Sequence, residues 1–125
     1  MPIDATLPYD AQNIFAKILR GEIPNRTVYE DAWALAFHDI NPQAPVHVLV
    51  IPKGAYVSWD DFSARASAEE IAGYVRAIGR VAREAGLVEP GYRLLANVGQ
   101  DGHQEVPHLH VHLFGGRPLG PMLSR

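Results

Sequence analysis

The chain contains no cysteine, so disulfides and thiolate metal sites are excluded and nothing points to an oxidising compartment. Apolar runs are short, as at Val46 to Ile51, which His47 interrupts, and none approaches the ~20 residues that a bilayer-spanning helix needs. A positive excess is also missing. The formal net charge of −3 offers no general attraction for nucleic acid, although it permits one small nucleotide in a local site. The first ten residues lack a basic segment followed by an apolar one, so no signal peptide is read and the expected location is cytoplasmic. Repeats and low-complexity linkers are absent as well. With 125 residues, 47% of them hydrophobic and 20% charged, the composition fits one soluble domain able to bury a core of its own.

What is abundant is histidine in one place. His108-Leu109-His110-Val111-His112-Leu113 puts three of the six histidines into five residues, alternating with aliphatics. On a β-strand, alternate side chains face opposite ways, so the three imidazoles share one face and Leu109, Val111 and Leu113 share the other. Imidazole titrates closest to neutrality, so such a row points to proton transfer, nucleophilic chemistry or metal binding. Spacing alone leaves two of these open. Zinc could use two of the histidines with Asp39, His47 or Glu105 as a further ligand, and covalent chemistry could use one imidazole as nucleophile.

Local signals supply the frame. Asn13 caps a short helix carrying Ile14, Phe15, Ile18 and Leu19, and Gly21 stops it. Thr27 to Glu30 and Trp33 to His38 read as a hairpin, Asp39 to Pro42 as a turn, and Val46 to Pro52 as a buried strand. Ser67-Ala68-Glu69-Glu70 is a capping box. It opens a long helix whose apolar positions Ile71, Tyr74, Val75, Ile78, Val81 and Ala82 recur at helical spacing up to Gly86. Tyr92 to Asn97 and Val106 to Phe114 read as the last two strands. The expected fold is α+β: a five-stranded antiparallel sheet with two helices packed on one face. Residues 1–12 read as a loose leader, 13–117 as the domain and 118–125 as an irregular tail. The loop from Asn97 to Glu105, with its glycines and short polar side chains, is suited to turning backbone N–H groups toward an anion beside the histidine row.

His108-Leu109-His110-Val111-His112-Leu113-Phe114 resembles the signature of the histidine triad (HIT) superfamily: three histidines separated by single apolar residues, followed by two more apolar ones. Ile14-Phe15 through Gly21-Glu22-Ile23-Pro24 resembles the family's N-terminal helix and turn, and Ala36 through His47 its ribose-binding segment. Gly115-Gly116-Arg117-Pro118-Leu119-Gly120-Pro121-Met122 is similar to the ending of bacterial members of the Hint branch. The resemblance covers Asn13 to Met122, nearly the whole chain.

The resemblance implies a homodimer whose two sheets join into one of ten strands. It also implies hydrolysis of purine nucleoside 5′-phosphoramidates without a metal or other cofactor, with hydrolysis of a dinucleoside polyphosphate, or nucleotide or partner binding with residual activity, as the alternatives. The net charge and the short apolar runs give no reason to expect nucleic acid or a membrane as partner. His110 would be the covalent nucleophile, carrying a nucleotidyl group that water then removes. His112 would bind the phosphate and hand a proton to the leaving amine, while His108 and His47 would orient the site. Asp39 would accept the ribose hydroxyls. Ile14, Phe15, Ile18, Phe37 and Ile40 would form the cleft for the base, and Asn97 and Gln104 would donate to phosphate or ribose. The tail would lie near the partner's site. Two positions depart from the common pattern. His103 stands where many members have glycine, beside the bound phosphate. Glu105 stands where animal members have serine, as in bacterial ones, and can protonate a leaving group only in its acid form.

Overall fold

The computed structural model describes residues 1–123, so the last two residues of the expected 118–125 tail lie outside the described residues. The elements in chain order are α1 (Ile14–Leu19), β1 (Thr27–Glu30), β2 (Ala34–His38), β3 (Val46–Pro52), α2 (Trp59–Arg65), α3 (Ala68–Glu84), β4 (Arg93–Leu95) and β5 (Val111–Gly115). The five strands form one antiparallel sheet in the order β1-β2-β3-β5-β4. The α+β class and the sheet agree with the sequence reading; the helix count and arrangement do not.

The described residues form three helices, and these cover both faces. Along β2, Ala34 and Ala36 point one way and Leu35 and Phe37 the other, all buried. Along β3, Val48 and Val50 alternate in the same manner with Leu49 and Ile51. Both faces are therefore apolar and both need a cover. On the first, the alanines let α3 approach closely, and Tyr74, Ala77, Ile78, Val81 and Ala82 pack there with Phe62 of α2, Leu109, Val111 and Leu113. On the second, Phe15 and Ile18 of α1 pack against Leu35, Phe37, Leu49 and Ile51. The histidine row lies on this second side.

The capping box at α3 forms as expected: Ser67 accepts from the Glu70 amide and the Glu70 carboxylate accepts from the Ser67 amide. Asn13 likewise caps α1, its Oδ1 accepting from the Ala16 N–H at 2.9 Å. Such caps stabilise a helix end by about 1 kcal/mol each. The α2 helix was not expected. It buries only Phe62, so it shows no apolar period; its start is marked by Ser58, which accepts from Asp61 N, and by Asp60 and Asp61 in the first turn.

The histidine strand is shorter than read, beginning at Val111 rather than Val106. Pairing with β3 runs from Val46 opposite Gly115 to Val50 opposite Val111 and then ends. Pro52 has no N–H to donate at this end, and neither has Pro107 in the segment that enters β5. The Leu109 N–H bonds to the Tyr56 carbonyl instead, at 2.8 Å. Alternation nevertheless holds across the segment. The Tyr92–Asn97 strand shrinks to Arg93–Leu95, the edge of the sheet beside β5. No helix of the described residues is long and apolar enough to cross a membrane.

The leader, residues 1–12, holds neither helix nor strand but is tied to the domain, starting with Ile3 N–H to Gln104 O at 2.7 Å. Pro118 and Leu119 of the tail, with Arg117 just before it, border a hollow of about 270 Å³ with Gln43, Arg93 and Phe114, and Arg93 donates to the Gly120 carbonyl at 2.7 Å.

Candidate active site

His110 sits where the chain leaves the sheet ladder, and its neighbours fix its tautomer. Its Nδ1 lies 2.7 Å from the main-chain carbonyl of His108. A carbonyl only accepts, so Nδ1 carries the hydrogen and Nε2 keeps a free lone pair. Burial lowers the ring's pKa; the carbonyl bond and the Asp39 charge oppose this without reversing it. The ring is therefore neutral around pH 7. Phe15 presents its edge to it, with centroids 4.9 Å apart.

His108 and His112 do different work. His108 is fully buried, its Nε2 2.9 Å from the Pro52 carbonyl and its Nδ1 2.6 Å from the Tyr9 phenol. The same donor logic makes Nε2 the N–H and Nδ1 the acceptor of the Tyr9 O–H. Burial brings its pKa down to about 4. His112 remains partly open, and its pKa is also lowered to about 4, by burial and then by the neighbouring His110 and His47.

His47, buried on β3, aims the His112 ring. The Gln43 backbone N–H donates to His47 Nδ1 at 3.1 Å, so the His47 proton sits on Nε2. Nε2 faces His112 Nδ1 at 2.9 Å, which leaves the His112 proton on its outer nitrogen. Phe114 stacks parallel to His112 at 5.6 Å and lies 4.2 Å from His47, closing the inner side of the pair. Asp39 carries two tasks on two oxygens. Oδ1 accepts from the Asn41 N–H at 2.8 Å and shapes the turn, while Oδ2 lies 3.4 Å from His47 Nε2.

These groups open on a cavity of about 220 Å³. It is lined by His110, His112, Asp39, Asn97, His103 and Glu105, with an apolar wall of Phe15, Leu49 and Val106. The expected site residues divide accordingly. Phe37 and Ile18 are buried behind the wall without lining it, and Ile14 and Ile40 do not line it either and are 44% and 96% exposed. Leu49 and Val106 were missed, because their apolar period reads as core. Gln104 is not available to a ligand: its Nε2 donates to the carbonyls of Val57 and Val106, and its Oε1 accepts from Gly99 N–H. Three of the loop amides are engaged within the loop as well: His103 N–H bonds to Gln100 O, Gln104 N–H to Gly99 O and Gly99 N–H to Gln104 Oε1.

This tight turn explains why glycine suits position 103. His103 has φ +60°, the left-handed region that costs a non-glycine residue roughly 1–2 kcal/mol. At Gly102 a Cβ would stand 2.5 Å from the Val98 carbonyl oxygen, so that position admits only glycine. His103 then projects outward, with Nε2 3.5 Å from the Glu105 carboxylate.

Asp39, His47 and His112 offer ligand atoms within 4.8 Å of one another, which is the spacing of a metal centre. The hydrogen bonding does not suit one. A metal on His47 Nε2 would force the ring proton onto Nδ1, directly against the Gln43 N–H. The donor set fits an imidazole relay better.

Comparison with known proteins agrees with this architecture. The model of the HIT domain matches residues 20–119. A 13.2 kDa HIT-like protein of Azospirillum brasilense is 68% identical over 94% of this chain and 96% of its own length. The purine nucleoside phosphoramidase of Escherichia coli K12 is 45% identical over 90% of this chain and 94% of its own. Among solved structures, a HIT family hydrolase from Legionella pneumophila superposes with a TM-score of 0.79 at 44% identity, covering 86% of this chain and 95% of that one.

Proposed function

The chain belongs to the HIT domain family, and on that premise we propose that it hydrolyses purine nucleoside 5′-phosphoramidates through a nucleotidyl group carried on His110. The observation that carries this reading is the bond from His110 Nδ1 to the His108 carbonyl, which directs a neutral Nε2 lone pair into the cavity. In the first step Nε2 attacks phosphorus in line. The P–Nε2 bond forms as the bond from phosphorus to the amine nitrogen breaks. His112 keeps its Nε2–H turned to the phosphoryl oxygens, because its Nδ1 accepts from His47, and the departing amine takes up its proton from solvent. Water then attacks phosphorus and releases its spare proton to solvent. The P–Nε2 bond breaks and the nucleoside monophosphate leaves. Asp39 Oδ2 is the acceptor for the ribose hydroxyls, and Phe15, Leu49 and Val106 make the wall for the base.

An amine leaving group fits this cavity better than a polyphosphate one. Its lining contains the carboxylates of Asp39 and Glu105 and neither lysine nor arginine. A chain of several phosphates would meet like charge without a compensating cation. Mass spectrometry of protein quenched during turnover of an AMP-tryptamine conjugate tests the reading. One adenylyl increment is expected, on the peptide containing His110; label on any other residue refutes the assignment.

We propose further that two copies pair through β4 into a ten-stranded sheet. The short β4 strand is an edge with a free row of backbone groups. Beside it lies a hollow of about 620 Å³ with apolar walls, to which Trp59, Val75 and Leu94 contribute although each is between 40 and 55% exposed. Apolar surface of this extent next to an open edge calls for a partner. Light scattering should give twice the 13.7 kDa chain mass, and Leu94→Arg should halve it. A wild-type protein that runs as a single chain at micromolar concentration would rule the pairing out.

A further inference from the structure

We propose that Tyr9 is a positioning residue for the nucleophile, reaching His110 through His108; this rests on the reading of His110 given above. The leader has no regular structure, yet it is held at two points that flank the site. Near its start, Ile3 N–H bonds to the carbonyl of Gln104, in the loop that borders the cavity. Near its end, the Tyr9 phenol donates to His108 Nδ1 at 2.6 Å, with the two rings edge to face at 5.6 Å. The segment that follows is equally constrained. Asp10 accepts from Gln12 N–H through its carboxylate, and from Asn13 Nδ2 at 2.7 Å through its carbonyl. Asn13 caps α1, the helix that sets Phe15 against the His110 ring. Tyr9 is therefore coupled to the nucleophile from two sides: through α1 and Phe15, and through His108.

The second route carries the chemistry. His108 is fully buried and has one arrangement that satisfies both ring nitrogens: Nε2–H to the Pro52 carbonyl, Nδ1 accepting from Tyr9. Its own main-chain carbonyl is the acceptor that keeps the His110 hydrogen on Nδ1. Without the phenol O–H, His108 Nδ1 is a buried acceptor with no donor. Swapping the tautomer would set a lone pair against the Pro52 oxygen. The ring must shift instead, and its main chain shifts with it, loosening the bond that keeps the His110 lone pair on Nε2. A phenylalanine at position 9 would fill the volume and keep the edge contact but could not supply the hydrogen.

The test compares Tyr9→Phe with Tyr29→Phe, a control on strand β1 whose phenol bonds Asp31. For Tyr9→Phe, kcat on AMP-tryptamine should fall about tenfold with KM within about twofold, as expected when a reacting atom is misplaced rather than substrate binding lost. Imidazole ¹⁵N NMR should show His110 changing from one tautomer to a mixture, while Tyr29→Phe leaves kinetics and spectrum unchanged. A wild-type kcat in Tyr9→Phe, or a His110 spectrum identical to wild type, overturns the role. If the unmodified protein fails to cleave phosphoramidates, the functional reading falls and the NMR comparison decides on Tyr9 alone.

Discussion

Replacing His110 with alanine is expected to lower turnover of an AMP-amine conjugate by about four orders of magnitude, with AMP still binding within about threefold of wild type. The size follows from the role. A covalent nucleophile divides one difficult displacement into two easier ones, and the His110 Nε2 lone pair is the one that a backbone carbonyl fixes in place beside this cavity. Glu105 is exposed at the mouth, and the inner nitrogen of His112 is occupied by His47. Binding should survive because the proposed ribose acceptor Asp39 lies in the turn after β2 and the apolar wall belongs to β3, α1 and the loop before the histidines, none of which depends on the His110 ring. Single-turnover kinetics and equilibrium titration with AMP separate the two quantities. A variant retaining more than about a tenth of the wild-type rate would mean that the nucleophile is another group or a water molecule.

Acid should unfold the protein earlier than its carboxylates alone would. His108 has a folded pKa of about 4 against an ordinary value of 6.5, because burial opposes its charge. A histidine whose folded pKa is depressed takes up its proton more readily when unfolded. The contribution to stability is thus complete above pH 6.5 and is lost as pH falls toward 4. At about 1.4 kcal/mol per unit, the shift is worth roughly 3 kcal/mol. The variant His108→Gln isolates this contribution, since its amide can donate to Pro52 and accept from Tyr9 but does not titrate. Urea midpoints measured from pH 7.5 to 4 should drop more steeply for wild type than for the variant. Parallel curves would show that His108 does not set the acid limit.

Much of this molecule was legible in the chain, and the parts that were not share a cause. Strands β1 and β3 and helix α3 fall where alternation, aliphatic content and the Ser67–Glu70 box put them. The triad resemblance located Asp39, His110 and His112, and these do line one cavity. Helix α2 escaped because seven residues with a single buried side chain carry no period. The cover on the second sheet face was misjudged because Leu35 and Phe37 alternate with alanines, which an apolar count cannot distinguish from a single core. Gln104 and Tyr9 exchanged places in importance. A glutamine beside histidines looks like a ligand donor, yet its amide is engaged by three backbone groups. A tyrosine in an irregular leader looks idle, yet its hydroxyl meets a histidine 99 residues away. Long-range hydrogen bonds between irregular segments leave no periodic trace.

Pro52 closes β3 without an amide hydrogen, and the sheet ladder stops beside it. That interruption leaves two carbonyl oxygens, its own and that of His108, to imidazole donors rather than to a neighbouring strand. The ring orientation that the proposed mechanism uses thus depends on unfinished pairing. One more rung of regular sheet would strengthen the scaffold and, by capturing either oxygen, release the ring whose orientation the chemistry requires.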